Sequence, residues 1–206
     1  MSFKIKFCLF LGILFLVNIC NGQDKFTSYS NSYFGKTYPI QIVSKEKGKF
    51  ALWIDAWSYD RVNDKGGIII NQRNYQNFID ALIQARFKYE EWVKTAKLNN
   101  INELSKPMNI KSGADGYFLY GSKWNFQFDI NTSFNFEIRD NKGENEYLLF
   151  IKTGGLQSTS NQFMKVSGFA IVFRSSDEIT KFMDLISEDK ILEFVNKPKK
   201  EDLFNE

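Results

Sequence analysis

Residues 124–138 read WNFQFDINTSFNFEI and decide the fold, because apolar and polar residues alternate along nearly the whole stretch. Successive side chains of a β-strand point to opposite sides, so this alternation predicts strands. The predicted apolar side consists of Trp124, Phe126, Phe128, Ile130, Phe134, Phe136 and Ile138. We therefore predict an antiparallel sheet with one packed face and one solvated face.

Further strands and helices are predicted on either side of this stretch. Residues 75–97 carry apolar side chains at helical spacing and predict the longest helix of the chain. Ser175 and Glu178 have the spacing of a capping box and predict the start of a second helix. Alternation or short apolar runs predict strands over 38–43, 50–55, 67–70, 147–151 and 163–173, and a short helix over 191–195.

The order strand, cap, helix occurs twice, over residues 66–82 and again over 169–185. Neither small sheet could bury its apolar face without its helix or the other sheet. We therefore predict an α+β fold of two similar halves, each an antiparallel sheet closed by one helix, and both sharing one core. The first half covers 23–97 and the second 117–196.

The segments outside the two halves have compositions of their own. Pro107, Gly113 and Gly116 fall within 98–116, which predicts a linker there. Residues 197–206 are rich in charged side chains and predict a polar tail.

This organisation resembles the Whirly and PUR-type single-stranded nucleic-acid-binding folds, in which several antiparallel strands precede one helix, twice over. The resemblance lies in residues 50–57, in 66–71 and in the helix that opens at Tyr75, with a second copy over 124–186. It implies the fold. It does not carry binding residues to this chain, because an export segment and a nearly balanced charge do not suit nucleic-acid binding.

Residues 1–22 have the order of a secretory signal, with Lys4 and Lys6 before an apolar run over 7–17 that is too short to span a bilayer. We expect cleavage after residue 22 and a secreted or periplasmic protein. The alternative is lipidation of Cys20, which would tether the protein to a membrane. No second apolar run of membrane-spanning length follows, so we expect no transmembrane segment in the mature chain.

Composition argues against most familiar catalytic chemistry. The chain has no histidine, and both cysteines, Cys8 and Cys20, lie in the signal. A histidine base, a Cys/His metal cluster and disulfides are therefore closed to the mature chain. The net charge falls from +3 to +1 on cleavage, because the signal holds two lysines and no acidic residue. We expect no cofactor and no metal, and nucleic acid is a disfavoured partner.

One pattern mimics an enzyme. Ser44 and Lys47, together with Lys-Thr-Gly at 152–154, match two of the three signatures of penicillin-recognising serine enzymes. That chemistry needs the serine at the start of a helix, whereas Ser44 follows a predicted strand. We therefore predict that the protein is not an enzyme and keep a serine-lysine hydrolase as a distant alternative.

Aromatic side chains offer the best candidate binding site. Trp53 and Trp57 share one side of a predicted strand, and Tyr59 continues the same parity. Such rings stack on sugars or bases, or pack into the protein. We predict a non-catalytic binding or interaction module for a ligand or protein outside the cytoplasm, with a carbohydrate-binding protein and a single-stranded nucleic-acid binder as alternatives.

Overall fold

The computed structural model describes residues 24–44 and 48–197. The predicted signal with Cys20, residue Lys47 and the tail from 198 onward lie outside these ranges. No helix in the described ranges is both long and apolar enough to cross a membrane. The helices are α1 (Gln72–Leu98), α2 (Ser176–Leu185) and α3 (Glu188–Asn196). The strands are β1 (Asp24–Asn31), β2 (Lys36–Val43), β3 (Ala51–Asp55), β4 (Trp57–Ser58), β5 (Gly66–Asn71), β6 (Leu104–Tyr120), β7 (Lys123–Asn141), β8 (Glu144–Lys152), β9 (Leu156–Gln157), β10 (Lys165–Val166) and β11 (Phe169–Phe173).

Nine of these strands form one antiparallel sheet in the order β1-β2-β3-β5-β6-β7-β8-β11-β4, while β9 and β10 pair separately. β4 follows β3 after the single residue Ala56, yet β4 pairs with β11, where Ser58 lies opposite Phe169. The strands from β3 to β11 therefore close into a ring at this point. The prediction of an α+β fold with an antiparallel sheet is confirmed.

The core lies between the helices and one face of the sheet, which we call the inner face. Alternate strand residues such as Leu52, Ile54 and Phe118 are fully buried there. α1 presents Phe78 and Leu82 to the same core, and further buried residues come from α2 and α3. Burying one such side chain stabilises the fold by about 1.5–3 kcal/mol, so the core supplies the main driving force.

The predicted linker over 98–116 is wrong, because residues 104–116 belong to β6 and pair with β7 and β5. The sheet thus crosses the boundary between the proposed halves, and their similarity is not confirmed. Small irregularities in β6 accommodate its proline and glycine residues. The pairing register shifts between Pro107 and Lys111, as at a bulge. Gly116 leaves room for a side chain from β9, since a Cβ there would lie 2.7 Å from Leu156.

The alternation of residues 124–138 is interrupted where the sequence predicted continuity. Asp129 has a φ of 53°, and the register between β6 and β7 shifts beside it. A bulge reverses which side chains face the core. Trp124 and Phe128 are therefore 51% and 56% exposed, whereas Ile130 is 8% exposed and joins the core. The prediction that these three residues share one side is wrong.

Candidate functional site

The face of the sheet opposite α1, here called the outer face, carries the predicted aromatic residues. Along β3 and β4, Trp53, Asp55 and Trp57 are half-buried on this face, and Tyr59 is 40% exposed. Leu52 and the other residues of opposite parity are buried in the core. Successive side chains of a strand point to opposite faces of the sheet, which explains why these residues share the outer face.

Five rings form a connected group on the outer face, which we call the aromatic platform. Trp53 lies 4.9 Å from the ring of Tyr117 and 5.6 Å from that of Phe126. Tyr117 also meets Trp124 at 5.8 Å, and Phe126 stacks on Phe128 at 6.4 Å. Tyr117 is almost fully buried beneath the others. The platform therefore has a rigid floor and two half-exposed rings, Trp124 and Phe128, that are open to a ligand.

Beside the platform lies a cleft of about 650 Å³, which we call the Asp55 cleft. It forms where β4 leaves β3, and the turn after β4 supplies its far wall. Its walls include one carboxylate and three aromatic side chains: Asp55, Tyr38, Trp57 and Tyr59. The charged residues Lys36, Asp60, Arg61, Asp64 and Lys65 also line it. The volume lies within the range of about 300–1,000 Å³ that is usual for small-ligand sites.

A hydrogen bond joins the cleft to the platform, because the hydroxyl of Tyr117 donates to the carboxylate of Asp55. Tyr29 donates to the main-chain oxygen of Asp55 over 2.9 Å. Burial raises the pKa of Asp55, and the hydrogen bond from Tyr117 opposes this rise. Burial and the charge of Asp55 raise the pKa of Tyr117 well above its usual value, so its hydroxyl stays a donor.

The structure separates the three predicted site residues. Trp53 belongs to the platform, whereas Trp57 and Tyr59 touch in the cleft, with ring centroids 4.7 Å apart. Phe34, from the turn between β1 and β2, stacks on Trp57 at 4.3 Å with an interplanar angle of 10°. One face of Trp57 is thus already covered by the protein. Trp57 serves as a wall of the cleft rather than as an open stacking surface.

Sequence reasoning placed Trp124 and Phe128 on the packed side of the sheet and missed them as surface residues. The bulge at Asp129 exposes them. It lies where the pairing register between β6 and β7 shifts, between Ala114 and Gly116 of β6. The available cue was Asp129 itself, since aspartate is among the residues that tolerate a left-handed backbone. Nothing local showed that the bulge would form.

The Lys-Thr-Gly segment has a structural role. Lys152 and Arg139 pair with Glu137 over 2.7 Å and 2.5 Å on the outer face. Burial pushes the pKa of Glu137 upward, but the hydrogen bonds from Lys152 and Arg139 outweigh it and leave that pKa lowered. Thr153 accepts a hydrogen bond from the main chain of Phe169. Lys152 is therefore committed to an ion pair, and the other half of the hydrolase pattern, Lys47, lies outside the described residues.

No family model matches this chain, and neither curated proteins nor solved structures include a match. The resemblance to Whirly and PUR-type folds therefore stays a prediction. In the two described ranges, no three histidine, cysteine or acidic side chains gather as a potential metal site.

Proposed function

We propose that this protein is a non-catalytic carbohydrate-binding protein that works outside the cytoplasm and binds its ligand on the outer face of the sheet. The observation that carries the proposal is the aromatic platform, where Trp124 and Phe128 are half-exposed above a buried Tyr117. Large exposed rings in one connected group mark binding surfaces more often than scattered apolar residues do.

The chemistry next to the platform favours a sugar. A sugar ring has apolar C–H faces that pack on aromatic rings and hydroxyls that need hydrogen-bond partners. Asp55 supplies a carboxylate acceptor in the adjoining cleft, and Tyr38 lines the same cleft. Apolar rings with a few convergent polar groups are the usual composition of a small-ligand site.

The outer face also offers room for more than one sugar unit. Trp53 of the platform and Trp57 of the cleft are four residues apart, which corresponds to at most about 13 Å at the rise of a β-strand. An oligosaccharide could therefore contact the platform and the cleft together.

Charge favours carbohydrate over single-stranded nucleic acid, although bases also stack on aromatic rings. Nucleic-acid sites depend on basic side chains that neutralise phosphates. The Asp55 cleft has three basic and three acidic lining residues, so it offers no basic excess: Lys36, Arg61 and Lys65 against Asp55, Asp60 and Asp64.

Calorimetric titration of the full chain with a panel of soluble oligosaccharides tests the proposal. Trp124→Ala and Phe128→Ala should each weaken binding about tenfold, which corresponds to about 1.4 kcal/mol. Phe87→Ala is the matched control, because Phe87 is 58% exposed on α1, away from the outer face. It should leave binding unchanged.

Two results would count against a carbohydrate ligand. If no oligosaccharide of the panel binds at millimolar concentration, the proposal fails. If short oligonucleotides bind instead, with an affinity that falls as salt rises, the nucleic-acid alternative replaces it.

A further inference from the structure

We infer that the Asp55 cleft selects sugar units that carry a free, protonated amino group, an inference that rests on the carbohydrate-binding function proposed above. The ammonium group would meet the Asp55 carboxylate while the remaining units of the oligosaccharide lie on the aromatic platform.

Asp55 forms no ion pair with a cation among the described residues. Its carboxylate accepts a hydrogen bond from Tyr117. Acidic side chains withdrawn from water are usually paired, because desolvation penalises an isolated charge. Asp55 instead opens into a cleft, where a ligand cation could take that place.

The walls of the cleft are partly aromatic, which also favours a cation. Tyr38, Trp57 and Tyr59 line the same cleft. Aromatic ring faces attract cations by about 0.5–2 kcal/mol, depending on how far the site is desolvated. A carboxylate between aromatic walls therefore binds an ammonium group better than it binds a neutral hydroxyl.

Most of the other charged groups that line the cleft are more exposed than Asp55. Lys36, Arg61 and Lys65 are exposed, so water screens their repulsion of a ligand cation. Asp64 also lines the cleft and adds negative charge there. Asp60 accepts hydrogen bonds from Ser167, which fixes it in the wall. The half-buried Asp55 carboxylate is consequently less screened by water than the exposed charges of the cleft.

The cleft lies next to the platform, so one ligand can contact both. Asp55 is two residues from Trp53 along β3 and bonds directly to Tyr117. Two residues of a strand span about 7 Å, so adjacent units of one ligand can reach both features.

The test compares oligomers of glucosamine, N-acetylglucosamine and glucose of equal length, titrated into the full chain while the free amines are protonated. The glucosamine oligomer should bind at least tenfold tighter than the other two. Asp55→Asn should weaken binding of the glucosamine oligomer at least tenfold and so abolish this preference. Asp80→Asn is the control, since Asp80 is exposed on α1, where its carboxylate accepts a hydrogen bond from Gln76.

Each other outcome overturns the inference. Equal affinities for the three oligomers would remove the amino selectivity and leave carbohydrate binding standing. Absence of binding by all three and by the rest of the glycan panel would remove both. Binding of a lysine oligomer of matched charge without binding of the glucosamine oligomer would show that the cleft accepts a basic peptide.

Discussion

Asp55 is the residue on which the site depends, because it lines the cleft on the outer face while its neighbours in β3 build the core. Tyr117 and Tyr29 fix its side chain and main chain, respectively. Its partial burial has an energetic cost to the folded state, since burial disfavours the charged form and raises the pKa of Asp55.

Asp55→Asn should raise the free energy of unfolding at pH 7. A pKa raised on folding means that the folded state holds the proton more readily. The resulting stabilisation is complete below the unfolded pKa and is lost as pH rises through the folded pKa. Asparagine mimics the neutral form and can still accept from Tyr117, so it avoids this loss.

Urea unfolding of the two proteins at pH 7 and at pH 3.5 measures the effect. The advantage of the variant should shrink at the lower pH, because the carboxyl of the parent protein is then protonated in both states. A variant that is less stable than the parent protein at pH 7, and equal to it at pH 3.5, would contradict the assignment.

For single residues, the sequence predicted that Trp53, Trp57 and Tyr59 lie on one side of the chain, because the side depends only on alternation along the local strand. It did not predict the cleft. Tyr38 of β2 and Asp64 of the turn after β4 reach the side of Asp55 only through strand pairing across the sheet. Likewise, no local feature of Trp57 indicates that Phe34 will stack on it.

Among the elements, the helices follow their sequence signals most closely. α1 was predicted over 75–97 and spans Gln72–Leu98. α2 begins at the predicted capping box, where the backbone N–H of Glu178 donates to Ser175 Oγ over 3.2 Å. The Glu178 carboxylate accepts from the backbone N–H of Arg174, one residue before the usual position. These signals are local, which is why they could be predicted.

Ser175→Ala should lower the free energy of unfolding by about 1 kcal/mol, because the first turn of α2 loses its side-chain acceptor. Ser187→Ala provides the matched control. Ser187 is the residue before α3 and makes no side-chain capping hydrogen bond. Thermal or urea unfolding of both variants separates the two, and equal losses would show that the Ser175 hydroxyl does not act as a cap.

The long strands were less predictable than the helices. β6 contains Pro107, Gly113 and Gly116, which read as breakers in the sequence. The pairing register with β7 shifts twice, near Pro107 and just before Gly116. Pairing with β7 over most of the length of β6 nevertheless keeps this segment in the sheet. The bulge at Asp129 arises from the same long-range pairing. As a result Trp124 and Phe128, which were predicted on the packed side of the sheet, form the exposed part of the platform.

At the scale of the whole molecule, closure of the sheet creates the site. β4 leaves β3 and pairs with β11, from a distant part of the chain, and the Asp55 cleft forms at this departure. We propose that the outer face of the sheet, and not the inner face beneath the helices, binds carbohydrate. The four tryptophans report on both sides, since Trp92 packs against Phe136 in the core at 5.6 Å.

The most direct test follows the indole N–H signals of the four tryptophans by NMR while the glycans of the panel are added. Binding on the outer face should shift the signal of Trp124 most and that of Trp53 as well, and leave Trp92 in place. A shift of Trp92 with Trp124 unmoved, or four unmoved signals at saturating glycan, would contradict the account.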